Sequence, residues 1–167
     1  ALDDDAIEFG ILSDQVNAIK AVVSTRHLLV FTTGAEWMVS GEPLTPEKIQ
    51  LKRQTSVGIY ADKILAPQQI DGATIFVSAN GRQLREFLYT DVEQAYQAKD
   101  LTILANDIIR RPRDVDYDKN DCVIYLVLED GTVSCLTTYR TEDVNAWSCL
   151  KTQGEFLSVA VIGSDIY

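Results

Sequence analysis

Histidine is almost missing from this chain: His27 is the only one in 167 residues. Acyl-transfer chemistry needs a general base, most often histidine. His27 lies in Ser24-Thr25-Arg26-His27, between two strand candidates, and reads as a loop histidine. No GxSxG, HExxH or phosphate-cradling glycine-rich loop is present. No catalytic residue, cofactor ligand or metal ligand is therefore nominated, and a non-enzymatic protein is expected. No apolar run approaches the roughly 18 residues of a membrane helix, so no membrane partner is expected. Cysteine is scarce and odd in number, with no CxxC spacing, which argues against a disulfide framework or a zinc site. Cys122, Cys135 and Cys149 read as small buried hydrophobes made in a reducing compartment. The opening Ala1-Leu2-Asp3-Asp4-Asp5 has neither a basic nor an apolar leader region, so no signal peptide is expected. The missing initiator methionine suggests a processed or excised piece. Positive charge is also in short supply: 15 Lys and Arg stand against 25 Asp and Glu, a net charge of −10. Such a surface repels phosphate backbones, so specific nucleic-acid binding is not expected. The densest basic stretch, Arg110-Arg111-Pro112-Arg113, reads as a solvated loop after a helix-like segment.

What the chain has is repetition. Three segments align on a glycine: Leu28 to Val39 on Gly34, Ala73 to Leu84 on Gly81, and Cys122 to Val133 on Gly131. The glycines are 47 and 50 residues apart. Each segment is an apolar β-branched or aromatic run, a turn, and a second strand. Asn80-Gly81 and Asp130-Gly131 are two-residue hairpin signals, because type I′ turns need positive φ at both central positions. Thr33-Gly34 is weaker, since threonine resists positive φ. A turn centred on Asp130-Gly131 sets Leu128 opposite Val133, Leu126 opposite Cys135 and Ile124 opposite Thr137, with Tyr125, Val127, Ser134 and Leu136 on the other face. Both faces are then apolar, so the sheet is expected to lie between neighbours. In this register Cys122 and Cys135 share a face but are four residues apart, roughly 13 Å, too far for a disulfide.

Further strand candidates flank the hairpins: Val16 to Ser24, Lys48 to Ser56, Val144 to Thr152, and Phe156 to Ile162 as the opening strand of another unit. Asp100 to Ile109 is the helix candidate, capped by Asp100 and stopped by Pro112. The expected fold is mainly β: one propeller-like domain or fragment over 1–167, with about three four-stranded antiparallel units at 16–56, 63–109 and 113–152, one short helix, and a further strand at 156–162. A β-sandwich is the alternative. Three units and a lone strand do not close a ring of about four to eight blades. The apolar last strand should therefore seat on another copy or on the chain's own first repeat.

Several stretches, taken in order, resemble a family of tailed-phage tail, nozzle or packaged-DNA stabilisation proteins. They are Ser13-Asp14-Gln15-Val16-Asn17-Ala18-Ile19, Leu29 to Trp37, Leu44-Thr45-Pro46, Gln54-Thr55-Ser56-Val57-Gly58, Gly81 to Glu86 with Tyr89, Tyr96 to Ala105, Asp130-Gly131-Thr132 and Val144-Asn145-Ala146-Trp147. The resemblance implies a propeller-like structural body in a phage or prophage virion, made in the bacterial host cytoplasm. Other tail or portal-proximal proteins, and the chain itself, would be its partners, and no catalytic residue is implied. The chain departs from the pattern at Asn106, where His is expected, and over Asp114 to Asp121, where charges replace a Met-Ala-Tyr-Gln-like strand.

Three rival readings remain. Asp114-Val115-Asp116-Tyr117-Asp118 resembles the start of a calcium loop. Lys119 stands at its glycine position and Tyr125 at its bidentate glutamate, so a solvated inter-repeat turn is favoured. A tail-associated glycosidase needs only two carboxylates. A host-surface glycan-binding module could stack sugars on Trp37, Trp147 or the seven tyrosines, although aromatics at strand positions are more often core.

Overall fold

The computed structural model describes residues 5–8, 10–11, 17–41, 45–62 and 65–167. The start of the expected first strand at Val16, motif residues 13–16 and 44, and the start of the expected second unit at residue 63 lie outside these. Twelve strands form three four-stranded antiparallel sheets, each a simple meander. The first holds β1 (Ile19–Ser24), β2 (Leu28–Thr32), β3 (Glu36–Ser40) and β4 (Gln50–Thr55). The second holds β5 (Gln68–Ile70), β6 (Ala73–Val77), β7 (Leu84–Thr90) and β8 (Ala95–Asp100). The third holds β9 (Pro112–Asp118), β10 (Val123–Leu128), β11 (Val133–Tyr139) and β12 (Val144–Leu150). The chain ends in a small hairpin of β13 (Val161–Ile162) and β14 (Asp165–Ile166).

The sheets stack face to face in a row, so the middle one is apolar on both faces, as a sandwiched sheet must be. Phe76, Phe87 and Tyr96 of the second sheet meet Val23, Leu29, Phe31 and Met38 of the first. Ring centroids lie 5.1 Å apart for Phe31–Phe76 and 4.7 Å for the stacked Phe87–Tyr96, within the range of favourable aromatic pairs. The opposite face, with Ile70, Ile75, Val77 and Leu84, packs on Ile124, Leu126, Leu128 and Leu136 of the third sheet. This is the propeller-like row expected from the repeats.

The turns correct the sequence reading in detail. Val127 pairs with Val133, Tyr125 with Cys135 and Ile124 with Leu136, a slip of one residue from the expected register. The loop has three residues, not two: Gly131 N–H donates to Leu128 O, and Leu128 N–H to Thr132 O. Gly131 alone takes positive φ, +76°, the geometry of a type I turn followed by a bulge. Because side chains alternate, one residue of slip moves Leu136 and Ser134 to the face of Ile124 and Leu126. The true type I′ turn is Asp71-Gly72, with φ of +45° and +80°, bracketed by the Ile70–Ala73 pair. Asn80-Gly81 lies in a wider loop closed by Ser78 N–H to Gln83 O.

Two elements differ from expectation. Residues 101–109 form successive turns and not a helix: Ala105 N–H donates to Thr102 O and Ile108 N–H to Ala105 O. Asp100 does cap, but it caps a turn, accepting from Thr102 N–H at 2.8 Å. Leu101 and Ile109 are buried while Ile103 and Leu104 are exposed, so no continuous helical face exists to bury. The one helical element among the described residues is a 3₁₀ turn, Arg140–Glu142. The strand expected at Phe156 to Ile162 is regular only at Val161–Ile162. It seats on the third sheet and not on the first: Phe156 and Val159 pack on Val127, Val133 and Cys135.

Candidate functional site: the arginine-lined end of the row

Each linker between sheets crosses the central hairpin turns at one end of the row and is stitched to them. After the first sheet, Ile59 N–H donates to Thr32 O, Tyr60 N–H to Val77 O, and Ala79 N–H to Gly58 O. After the second, Arg111 N–H donates to Gly81 O, and Glu129 N–H to Arg111 O. After the third, Phe156 N–H donates to Gly131 O. The glycine period follows from this crossing. A Cβ on Gly81 would stand 2.6 Å from the Tyr60 ring, and one on Gly131 would stand 2.6 Å from Glu155 Cβ.

The crossings leave two adjoining grooves of about 520 and 470 Å³ that share Tyr60, Asp62 and Arg111. Arg113, Glu129 and Leu157 complete one, and Ala79, Asn80, Arg82 and Arg110 the other. The stretch read as a solvated loop thus supplies three of the four arginines here, and Arg113 already belongs to β9. Sequence spacing could not show Arg82 joining them from another turn. Most of this charge is answered locally: Arg111 is 3.3 Å from Glu129, Arg110 is 3.0 Å from Asp107, and Arg113 donates to Glu129 O. Tyr60 donates to Asp62 at 3.2 Å, and burial followed by that carboxylate pushes its phenol above the usual range. Arg82 and Arg110 border one groove together, with Asp107 3.0 Å from Arg110.

The other chemistry-bearing groups serve joints. His27 packs on Tyr89 and Tyr96, with ring centroids at 5.1 and 5.9 Å, and its Nδ1 lies 3.3 Å from Tyr96 Oη. It thereby ties the first sheet to the second. Glu86 and Arg140 form a largely buried ion pair at 2.5 Å, and Arg140 also donates to the carbonyls of Ile70 and Asp71, joining the second sheet to the third. Trp147 donates to Leu101 O at 2.9 Å. Trp37 is buried within the cluster of Val30 and Ala35, so it offers no stacking face. Glu36 is fully buried: one carboxylate oxygen accepts from Thr55 and from Val57 N–H, the other has no partner, and burial raises its pKa.

Asp114 and Asp116 do not stand in the solvated turn expected for them. They lie on β9, and their Oδ2 atoms accept from Val159 N–H at 3.0 Å and Val161 N–H at 2.7 Å. Asp118 caps the following turn through Asn120 N–H at 2.8 Å. No group of His, Cys, Asp or Glu among the described residues is arranged to hold a metal ion. All three cysteines are free thiols.

Comparison with known proteins yields no matching family model and no matching curated protein.

Proposed function

We propose that this chain is a non-enzymatic structural component of a phage or prophage tail, a rigid β module placed among other tail or portal-proximal proteins. The observation that carries the reading is where the motifs of the resemblance fall. Three of them, Gln54 to Gly58, Gly81 to Glu86 and Asp130 to Thr132, hold at Gly58, Gly81 and Gly131 the carbonyls that accept the amides stitching linker to turn, while Gln54, Thr55 and Leu84 to Glu86 lie in β4 and β7. Residues that look chemically active, His27, Glu86, Asp114 and Asp116, support joints between elements. That is the pattern of a protein whose task is to keep its shape. Particles purified from a lysogen or infected host that encodes this chain should contain its peptides by mass spectrometry. Tail-directed labelling should place them on the tail, and their absence from purified particles would overturn the proposal.

The arginine-lined grooves favour a second reading, a host-surface glycan-binding module that recognises an acidic sugar. A glycan array with Arg82→Ala and Arg110→Ala controls decides it: an acidic-glycan signal present for the wild type and lost in both variants would favour binding over a purely structural role.

A further inference from the structure

An unpaired sheet edge is a template for another strand, and folded proteins blunt such edges with charge, shortness or side-chain caps. Most edges of the three four-stranded sheets are blunted in these ways. The outer strands of the first sheet carry Lys20 on β1 and Lys52 and Arg53 on β4, and β5 has only three residues. On β8, Tyr96 N–H donates to Gln54 Oε1 at 2.8 Å and Ala98 O accepts from Arg85 at 3.2 Å. On β9, Val115 N–H donates to Asp114 Oδ1 at 2.9 Å and Tyr117 N–H to Asp116 Oδ1 at 2.8 Å.

The outer strand of the third sheet, β12, has none of these devices. It runs Val-Asn-Ala-Trp-Ser-Cys-Leu, without a charge or a proline, and every residue of it is exposed or half-buried. The hydrogen-bond phase of the sheet fixes which backbone groups point out. Leu128 N–H donates to Thr132 O and Thr138 N–H to Cys122 O, so Ser134, Leu136 and Thr138 turn their backbone groups towards β10. Cys135, Thr137 and Tyr139 then turn theirs towards β12, where they meet Ser148, Ala146 and Val144. Asn145, Trp147 and Cys149 therefore aim their N–H and C=O outward, and no backbone group of another described residue bonds them there.

We propose that β12 pairs antiparallel with β12 of a second copy, across a two-fold axis at Trp147. Outward residues must face outward residues, so Asn145 lies opposite Cys149 of the second copy and Trp147 opposite its own counterpart. Each of these facing pairs can exchange two backbone hydrogen bonds. The same register sets the exposed Val144 against the exposed Leu150, and Asp143 at one end across from Lys151 at the other. The strand is thus complementary to itself in charge and in apolar character, which commits the edge to a copy of this chain. A two-fold contact uses one patch on both copies and closes on itself.

Light scattering on the wild-type polypeptide should give twice the 18.6 kDa chain mass. Cys149→Pro removes one outward N–H from each copy and leaves the ladder to β11 in place, since proline is tolerated on an edge. It should keep the circular dichroism of the wild type and weaken pairing by about tenfold or more. Asn145→Cys sets a thiol opposite Cys149 of the second copy, within disulfide reach. Oxidation of that variant with copper–phenanthroline should give a covalent pair whose non-reducing peptide map links positions 145 and 149. The wild type should give no such pair, because its two Cys149 thiols lie four residues apart along the strands, roughly 13 Å. A chain that stays monomeric at every attainable concentration would leave the edge to a strand of another protein and overturn the proposal. So would a pair that folded Cys149→Pro forms just as tightly, or an oxidised Asn145→Cys chain with no link between 145 and 149.

Discussion

Gly131 and Gly72 both have φ near +80°, yet they face different surroundings, and the contrast separates backbone strain from crowding. Around Gly72 nothing lies within 4 Å of the place a Cβ would take. At Gly131 that place is 2.6 Å from Glu155 Cβ and 2.9 Å from its Cα. Gly72→Ala should therefore cost only the left-handed penalty of about 1 kcal/mol. Gly131→Val adds β-branching and pushes the linker off its stitch, so it should cost about 1–3 kcal/mol. Urea melts that rank Gly72→Ala as the more damaging would contradict this. Glu36 gives a pH signature of its own. Burial raises its folded-state pKa above the unfolded value, so the folded chain binds the proton more tightly. Stability from this site is full below the unfolded pKa and is lost as pH rises through the folded one. Since acid also relieves the general negative charge, the measure is the difference between wild type and Glu36→Gln. Wild type should gain melting temperature relative to the variant as pH falls from neutral towards the ordinary glutamate range, and parallel curves would refute the assignment.

Among elements, the C-terminal segment tests how side chains can stand in for a strand. Asp114 and Asp116 project from the same side of β9 and take the amides of Val159 and Val161, two residues apart, as a ladder partner would. Asp114→Ala with Asp116→Ala should release 156–167 while the three sheets stay folded. Hydrogen exchange should show lost amide protection at Val159 and Val161 and retained protection in β10 and β11; protection unchanged at both valines would show that Phe156 and Val159 hold the segment by packing alone. This element also marks where sequence reading stops. The three meanders were legible because each glycine stands where a linker crosses, so apolar runs and turns recur at a fixed spacing. The acids of β9 hid a strand, because their partners lie 45 residues away and no local pattern announces them. The register of the third hairpin was out of reach for a different reason. Asp-Gly suits a type I′ turn and also the last two positions of a type I turn with a bulge, and only the closed hairpin chooses. The helix expected from Asp100 failed because its cap and its proline stop were real, while Leu101, Ile103, Leu104 and Ile109 do not share a buried face. The arginine grooves were half legible: Arg110, Arg111 and Arg113 stand together in sequence, but Arg82, Tyr60 and Asp62 join them only through the stacking.

At the scale of the whole molecule, the question is whether the one basic end can overcome an acidic body. Four arginines line the grooves, but Asp62 and Glu129 lie among them, and Arg110 and Arg111 already pair with carboxylates. A DNA duplex approaching this end meets four arginines with Asp62, Glu129 and Asp107 among them, a local excess of one positive charge, and, beyond it, a molecule of net charge −10. Non-specific DNA affinity comes from displacing counterions with several phosphate contacts at once, and here Arg110 and Arg111 would first have to leave their carboxylates. The like charge of the remaining surface adds repulsion that screening over about 8 Å at physiological salt does not remove for a contact of this size. A protein near the path of a packaged genome benefits from such a surface, since a wall that repels DNA lets it pass. The expected result is no measurable binding to duplex DNA at physiological salt, meaning a dissociation constant weaker than about 10⁻⁴ M by fluorescence anisotropy. Lowering the salt should bring at most a weak complex that Arg82→Ala and Arg110→Ala abolish. A micromolar, salt-sensitive complex at physiological salt would show that Arg110 and Arg111 trade their carboxylates, and Arg113 the Glu129 carbonyl, for phosphates, and the non-adhesive surface would have to be abandoned.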